Sequence, residues 1–169
     1  KSCDKFYEFD LSNCSNELSA FKNLVELINN ELVTKKKSLN GIINNAAFQL
    51  VKQFEQISAK EWNYLFSVNL FAPIEISKAF MPHLKISKGS ILNIGSIHSE
   101  LTKPFFSAYA VSKAALRGLT QSLAVEFGDA VRLNSIEPAA IKTSMLEESF
   151  NGNIKGLEKL KLFHPTKSI

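Results

Sequence analysis

The sequence predicts an α/β fold built on a parallel sheet, in a single domain over residues 1–169. Short apolar runs alternate along the chain with longer amphipathic segments, which is the order typical of β–α–β units. Apolar residues make up 45% of the chain and charged residues 21%, as in ordinary globular proteins. Neither an internal repeat nor a linker divides the sequence, so one domain is expected.

The first part of the chain contains two strand candidates on either side of a helix. Residues 5–9 form a short aromatic run that we predict as a strand. A helix is predicted over residues 16–33, because apolar residues recur there at intervals of three and four. Residues 39–43 are predicted as the next strand, and a turn at 44–47 follows it directly.

The second part continues the alternation, with elements at 58–84 (helix), 91–94 (strand), 106–127 (helix) and 131–136 (strand). Ser58 and Glu61 have the spacing of a capping box and begin the first of these helices. Pro73 is expected to bend that helix. Residues 144–169 are polar, and we predict a mobile segment with one short helix.

Several classes of protein are disfavoured by composition. The net charge of +4 would suit a protein that binds nucleic acid. However, Lys35–Lys37 is the one dense basic run in the sequence and fits a solvated loop, so we expect no nucleic-acid partner. No apolar run reaches about 18 residues and no secretory signal is present, so no membrane association is expected. Cys3 and Cys14 match neither a metal site nor a disulfide framework. We therefore expect no metal, and a cytoplasmic protein with reduced thiols.

A tyrosine and a lysine are spaced for acid–base chemistry in the helix at 106–127. Tyr109 and Lys113 are four residues apart, which places both side chains on one helix face. A nearby cation favours the phenolate, so the pKa of the tyrosine is expected to fall. The spacing alone is weak, since a surface tyrosine beside a solvated lysine has the same pattern.

Polar or small residues also follow two of the predicted strands. Ser96 follows the end of the strand at 91–94 and precedes Tyr109 by thirteen positions. The carboxyl ends of parallel strands form the ligand crevice of such sheets, where a hydroxyl can bind a substrate oxygen. The turn Asn44–Ala47 contains residues small enough for close backbone approach to a ligand. Each feature is common in isolation.

Taken together, these residues resemble the short-chain dehydrogenase/reductase family, in its compact single-domain branch. Members share an Asn-Asn-Ala-Gly turn, a serine thirteen positions before the tyrosine, a Tyr-x-x-x-Lys pair and an asparagine in the preceding helix, which is Asn69 here. The segment from Pro138 to Thr143 resembles the one that closes over the nicotinamide, and Asp10 with Leu11 resembles the pair that contacts the adenine. The resemblance extends from about Asp10 to Thr143.

The resemblance implies a hydride transfer between NAD or NADP and a small secondary alcohol or ketone. Tyr109 would act as general acid or base, Lys113 would lower its pKa and bind the nicotinamide ribose, and Ser96 would orient the substrate oxygen. Asn69 would hold a water that links Lys113 to solvent. The implied cofactor-binding residues are Asp10, Leu11, Asn45, Ala46, Ala47, Tyr109, Lys113, Pro138, Ala139, Ile141 and Thr143. The implied substrate-binding residues are Ser96, Ile97, His98, Phe106 and Ala140.

The sequence departs from the family pattern in two respects. Ala47 and Ala139 replace glycines, which is acceptable only at negative φ, and Gly95 stands where serine is commoner. The family's Gly-rich phosphate loop has no counterpart, so we expect a partial Rossmann-like doubly wound sheet with strands three to six, in part of a longer protein. The choice between NAD and NADP is normally made just after the second strand, so the sequence leaves it open.

The two long helices suggest self-association. In the family, helices corresponding to about 58–84 and 106–127 pack against another subunit, so a homodimer or homotetramer is expected. Apolar residues beyond the needs of one sheet face support this, namely Phe66, Phe71, Phe80, Leu116, Leu119 and Leu123. The alternative to an active enzyme is a catalytically silent member of the family with a binding or regulatory role. For His98, the alternative to substrate contact is an exposed position in a loop.

Overall fold

The computed structural model describes residues 5–14, 18–143, 145–146, 150, 153–163 and 168–169. Its helices are α1 (Leu18–Thr34), α2 (Ala59–Phe66), α3 (Ala72–Ser87), α4 (Ser107–Phe127) and α5 (Ile154–Phe163). Its strands are β1 (Gly41–Asn44), β2 (Ser90–Ile94) and β3 (Arg132–Ile136). The three strands form one parallel sheet in the order β1-β2-β3, so the predicted α/β fold is confirmed.

The parallel register places the carboxyl ends of the three strands next to one another. Ile91 of β2 lies between Ile42 of β1 and Leu133 of β3. Since all three strands run the same way, the segments after Asn44, Ile94 and Ile136 leave the sheet at one edge. Met81 and Leu84 of α3 pack against Ile91, Val131 and Leu133 in the buried core of the sheet.

The helix predicted at 58–84 consists of α2, a π-helical turn at Ser67–Phe71, and α3. The predicted capping box begins it, because Ser58 accepts from the Glu61 N–H while Glu61 accepts from the Ser58 N–H. Pro73 has no N–H to donate to the carbonyl of Asn69, four residues before it. The widened turn therefore lies just before the proline, where the sequence predicted a bend.

The strand predicted at residues 5–9 is wrong. The structure assigns no strand there, and a short 3-10 helix follows at Leu11–Asn13, capped by the Asp10 carboxylate on the Ser12 N–H at 2.9 Å. A strand requires a hydrogen-bonded neighbour, and the described part of the chain places none beside this segment. In the described part of the chain the sheet thus has three strands, where four were predicted.

The C-terminal segment contains the short helix that was predicted, as α5. The remaining positions of the predicted segment 144–169 fall partly outside the described residues, as do Cys3 and the start of the helix predicted from residue 16. Among the residues with described positions, no helix is both long and apolar enough to cross a membrane.

Candidate active site

Tyr109 and Lys113 lie on the face of α4 that is turned into the protein. They are 7% and 2% exposed, so the pattern of a surface tyrosine beside a solvated lysine is excluded. The Lys113 ammonium donates to the carbonyl oxygen of Ile94, the last residue of β2, at 2.7 Å. Its Nζ lies 5.8 Å from the centroid of the Tyr109 ring. Both groups therefore face the edge of the sheet where the strands end.

Burial governs the acidity of both groups. It lowers the pKa of Lys113 to about 8, against the smaller opposite effect of the negative charge on Glu137. It also raises the pKa of Tyr109, while a hydrogen bond with Ser96 lowers that pKa and the charge on Glu137 raises it further. The sequence predicted a lowered pKa for Tyr109, and the structure gives the opposite direction, because loss of water around the phenol is the largest effect on it.

Ser96 is brought next to Tyr109 by the end of β2. Its side chain is buried, and its Oγ accepts from the His98 N–H at 3.2 Å. A hydrogen bond from this side chain lowers the pKa of the Tyr109 phenol, against the larger effect of burial. Its own N–H donates to a carboxylate oxygen of Glu137 at 2.7 Å. The Ser96 and Tyr109 hydroxyls therefore belong to one site, where both can hydrogen-bond a single substrate oxygen.

Asn69 lies in the π-helical turn and is almost completely buried. Its side-chain oxygen accepts from the Phe48 N–H at 2.7 Å, and its amide donates to the Phe48 carbonyl at 2.9 Å. The same amide donates to the Ser112 hydroxyl at 3.0 Å, and Ser112 donates to the Tyr109 carbonyl at 2.8 Å. The Asn69 side chain therefore connects the loop after β1 with the turn of α4 that contains Tyr109.

The structure contains a buried row of hydrogen-bonded polar side chains that was not predicted from the sequence. Asn44 donates to Asn93 at 2.7 Å, and Asn93 donates to Thr120 at 2.8 Å, which ties β1, β2 and α4 together. The available signal was an asparagine in the middle of the apolar run Ile91–Ile94. A buried amide in a central strand has to find partners on neighbouring elements, as this one does.

Most residues predicted for the cofactor lie after β1 and β3, and two pairs lie elsewhere, one of them Tyr109 and Lys113 in α4. Asn45 and Ala46 are exposed and Ala47 is half-buried in the turn after β1. After β3, Pro138 is half-buried, and the other predicted residues, Ala139, Ile141 and Thr143, are exposed. Asp10 caps the 3-10 helix, and Leu11 packs against the cluster of Cys14, Phe21 and Ala72.

Neither alanine that replaces a family glycine is strained. The non-glycine residues with positive φ in the described chain are Lys36, Lys88 and Phe105, so Ala47 and Ala139 both have negative φ. An added methyl group therefore costs no backbone strain at either position.

Two more of the residues predicted for the substrate, His98 and Phe106, lie against the ring of Tyr109. His98 stacks on the Phe106 ring at a centroid distance of 4.6 Å, and both rings lie edge-on to Tyr109 at 6.1 and 6.2 Å. Burial lowers the pKa of His98, with Lys103 adding to the effect. Ile97 is exposed and Ala140 is half-buried. His98 thus belongs to an aromatic cluster at the site and is only partly open to solvent.

A parallel α/β sheet with a buried Ser–Tyr–Lys group at its carboxyl edge defines a dehydrogenase-like class of protein. The sequence model of the short chain dehydrogenase family matches residues 5–153, and the chain belongs to this family.

Two of the proteins similar in sequence to this chain are dehydrogenases. The chain is 33% identical to D-beta-hydroxybutyrate dehydrogenase of Rhizobium meliloti over 109 residues, which cover 63% of this chain and 42% of that protein. It is 30% identical to cyclopentanol dehydrogenase of Comamonas testosteroni over 119 residues, covering 69% and 48%. The chain therefore spans about half or less of the length of these curated relatives.

Solved structures have the same architecture. Ligand-free aldohexose dehydrogenase of Thermoplasma acidophilum superposes with a TM-score of 0.83 at 27% identity, over 96% of this chain and 64% of that one. A 4-hydroxyisoleucine dehydrogenase complexed with NADH superposes with a TM-score of 0.74 at 32% identity, over 92% and 61%. The three-stranded sheet and its helices are thus part of the larger fold of this family.

Proposed function

We propose that this chain forms the catalytic part of an NAD(P)-dependent oxidoreductase that interconverts a small secondary alcohol and the corresponding ketone. The observation that supports this most directly is the buried Tyr109 hydroxyl beside Ser96, with Lys113 one helical turn away. A relative that acts on cyclopentanol and one that acts on β-hydroxybutyrate fit the same substrate class.

Tyr109 is the proposed general acid in carbonyl reduction. Because burial raises its pKa, the phenol holds its proton at neutral pH and can donate it to the substrate oxygen. Ser96 orients that oxygen by a second hydrogen bond. In alcohol oxidation the proton moves the other way, and the charge on Lys113 favours the phenolate that accepts it.

NAD or NADP is the proposed cofactor, and it supplies or accepts the hydride when bound. The exposed small residues Asn45, Ala46 and Ala139 leave room for close approach at the ends of β1 and β3. Lys113 is proposed to bind the ribose, and Pro138 to Thr143 to cover the nicotinamide. Asp10 and Leu11 are proposed to contact the adenine. A solved neighbour that holds NADH supports this choice of cofactor.

A homodimer or homotetramer is proposed for the whole protein. Phe80 and Leu116, which the sequence suggested for an interface, are buried within the chain. Val111 and Val125 of α4 are instead 50% and 90% exposed, and Phe71 of the π-helical turn is also exposed. These side chains support an interface through the same helices. Light scattering of the intact protein should give a multiple of the monomer mass, and a monomeric mass would contradict the proposal.

A turnover assay tests the proposed reaction. The full-length protein that contains these residues is incubated with NADH or NADPH and a panel of small ketones and 3-oxo acids, and loss of reduced cofactor is followed at 340 nm. Tyr109→Phe should lose most of the activity, whereas Tyr64→Phe, which changes a more exposed tyrosine in α2, should retain it. Equal activities of Tyr109→Phe and the unaltered protein would overturn the assigned role.

A further inference from the structure

Glu137 joins the end of β3 to the end of β2. One carboxylate oxygen accepts the Ser96 N–H at 2.7 Å and the Ser99 hydroxyl at 3.1 Å. Two backbone bonds flank this contact, from the Gly95 N–H to the Ile136 carbonyl at 2.8 Å and from the Ile97 N–H to the Pro138 carbonyl at 2.9 Å. The N–H groups of residues 95–97 are therefore hydrogen-bonded to residues 136–138 in order. The outer two bonds go to backbone carbonyls, and the one from Ser96 goes to the Glu137 side chain.

The glycine beside Ser96 complements this carboxylate. A Cβ atom placed on Gly95 would overlap the Glu137 carboxylate group, so any larger residue at 95 displaces the acidic side chain. The sequence departs from the family pattern at this position, where serine is commoner. The departure has a physical reason, since the carboxylate occupies the space that a serine side chain would need.

The carboxylate also contributes charge to the site. Its negative charge opposes ionisation of Tyr109 and favours the protonated form of Lys113, in each case as a smaller effect than burial. The other charged or titratable groups near Tyr109 are His98, which lies edge-on to its ring, and Lys103, which lies over the Phe106 ring. The second oxygen of Glu137 is buried and accepts no hydrogen bond from any described residue.

We propose that Glu137 is a positioning residue of the active site, which fixes the backbone at Ser96 so that its hydroxyl faces Tyr109. The effect of Glu137 on catalysis rests on the proposed oxidoreductase function, whereas its effect on the backbone at Ser96 does not. Glu137 contacts neither reacting atom, and it acts through Ser96.

Three variants separate the hydrogen bond from the charge. Glu137→Gln keeps an acceptor for the Ser96 N–H but removes the charge, and Glu137→Ala removes both. Gly95→Ala keeps Glu137 but displaces its carboxylate, so it should resemble Glu137→Ala. Because both changes break the same contact, the double variant should be no worse than either single one. Glu126→Gln on the exposed side of α4 is the matched control.

Two readouts need neither cofactor nor turnover. Amide exchange at Ser96, followed by NMR, should be about tenfold faster or more in Glu137→Ala and Gly95→Ala, and near the unaltered rate in Glu137→Gln. The phenol of Tyr109 is titrated at 295 nm against Tyr109→Phe, and Glu137→Gln should lower its pKa, because a negative charge near the phenolate is removed.

The outcomes distinguish this proposal from the proposed function. Unchanged Ser96 exchange in both Glu137→Ala and Gly95→Ala would overturn the role of Glu137, whatever the activity of the protein. Faster exchange together with an unaltered kcat in an active full-length protein would also overturn it. Faster exchange with kcat reduced more than KM is changed is the expected result. Faster exchange in a protein that reduces no ketone would support the positioning contact and contradict only the oxidoreductase function.

Discussion

Replacing Lys113 with methionine should stabilise the protein at neutral pH. Burial lowers the pKa of this lysine from 10.5 to about 8, and each pKa unit corresponds to about 1.36 kcal/mol, so burying the charge costs about 3 kcal/mol. Methionine removes that cost but leaves the Ile94 carbonyl without its donor, which costs about 1–2 kcal/mol. The net gain in unfolding free energy at pH 7 is about 1–2 kcal/mol.

The gain should disappear as the pH rises. Between about pH 8 and 10.5 the unfolded chain holds a proton at Lys113 that the folded chain has lost, so the stability of the unaltered protein rises with pH. Below this window both states are protonated and the difference from the variant is constant. By pH 10.5 the difference should have changed by about 3 kcal/mol, which makes the methionine variant the less stable protein.

Urea unfolding at pH 7, 9 and 10.5 measures this difference, with the fluorescence of Trp62 and far-ultraviolet circular dichroism as probes. Lys60→Met, at an exposed position of α2, is the control and should change little at any of these pH values. A stability difference between Lys113→Met and the unaltered protein that stays constant from pH 7 to 10.5 would show that burial does not lower the pKa of Lys113.

Three further changes test the site and its supports. Tyr109→Phe should reduce kcat/KM for ketone reduction by about 10²–10⁴-fold, measured with the full-length protein. Asn93→Ala leaves the buried Asn44 amide without its acceptor and removes one of the two hydrogen bonds of the Thr120 hydroxyl, so it should lower the unfolding free energy by about 2–4 kcal/mol, more than Thr120→Val does. Gly89→Ala places a methyl group 2.7 Å from a backbone carbonyl and should lower the unfolding free energy by about 1–3 kcal/mol. Gly118→Ala meets no atom within 4 Å and should raise the unfolding free energy by about 0.5–1 kcal/mol. Urea unfolding measures both changes.

The sequence predicted the parts of the site that depend on local spacing. Tyr109 and Lys113 share a helix face because they are four residues apart, and Ser96 lies at the sheet edge because it follows the last residue of a strand by two positions. Those facts need no knowledge of the tertiary structure. The helices and three of the four predicted strands were also readable from periodicity.

The parts that were wrong or missed depend on contacts between distant segments. The strand predicted at residues 5–9 failed because pairing needs a neighbour that local sequence does not specify. The acidity of Tyr109 was predicted in the wrong direction, since spacing reveals the nearby cation but not the degree of burial. Glu137 was missed because its partner Ser96 is 41 positions away.

Cofactor titration tests directly whether this chain belongs to a working NAD(P)-dependent oxidoreductase. The fluorescence of NADH and of NADPH is followed as the full-length protein containing this chain is added, in parallel with the 169-residue chain itself. We expect saturable binding of at least one of the two cofactors by the full-length protein, which would also identify the preferred one. Absence of binding by the full-length protein for both cofactors would contradict the assignment of this chain to a working oxidoreductase.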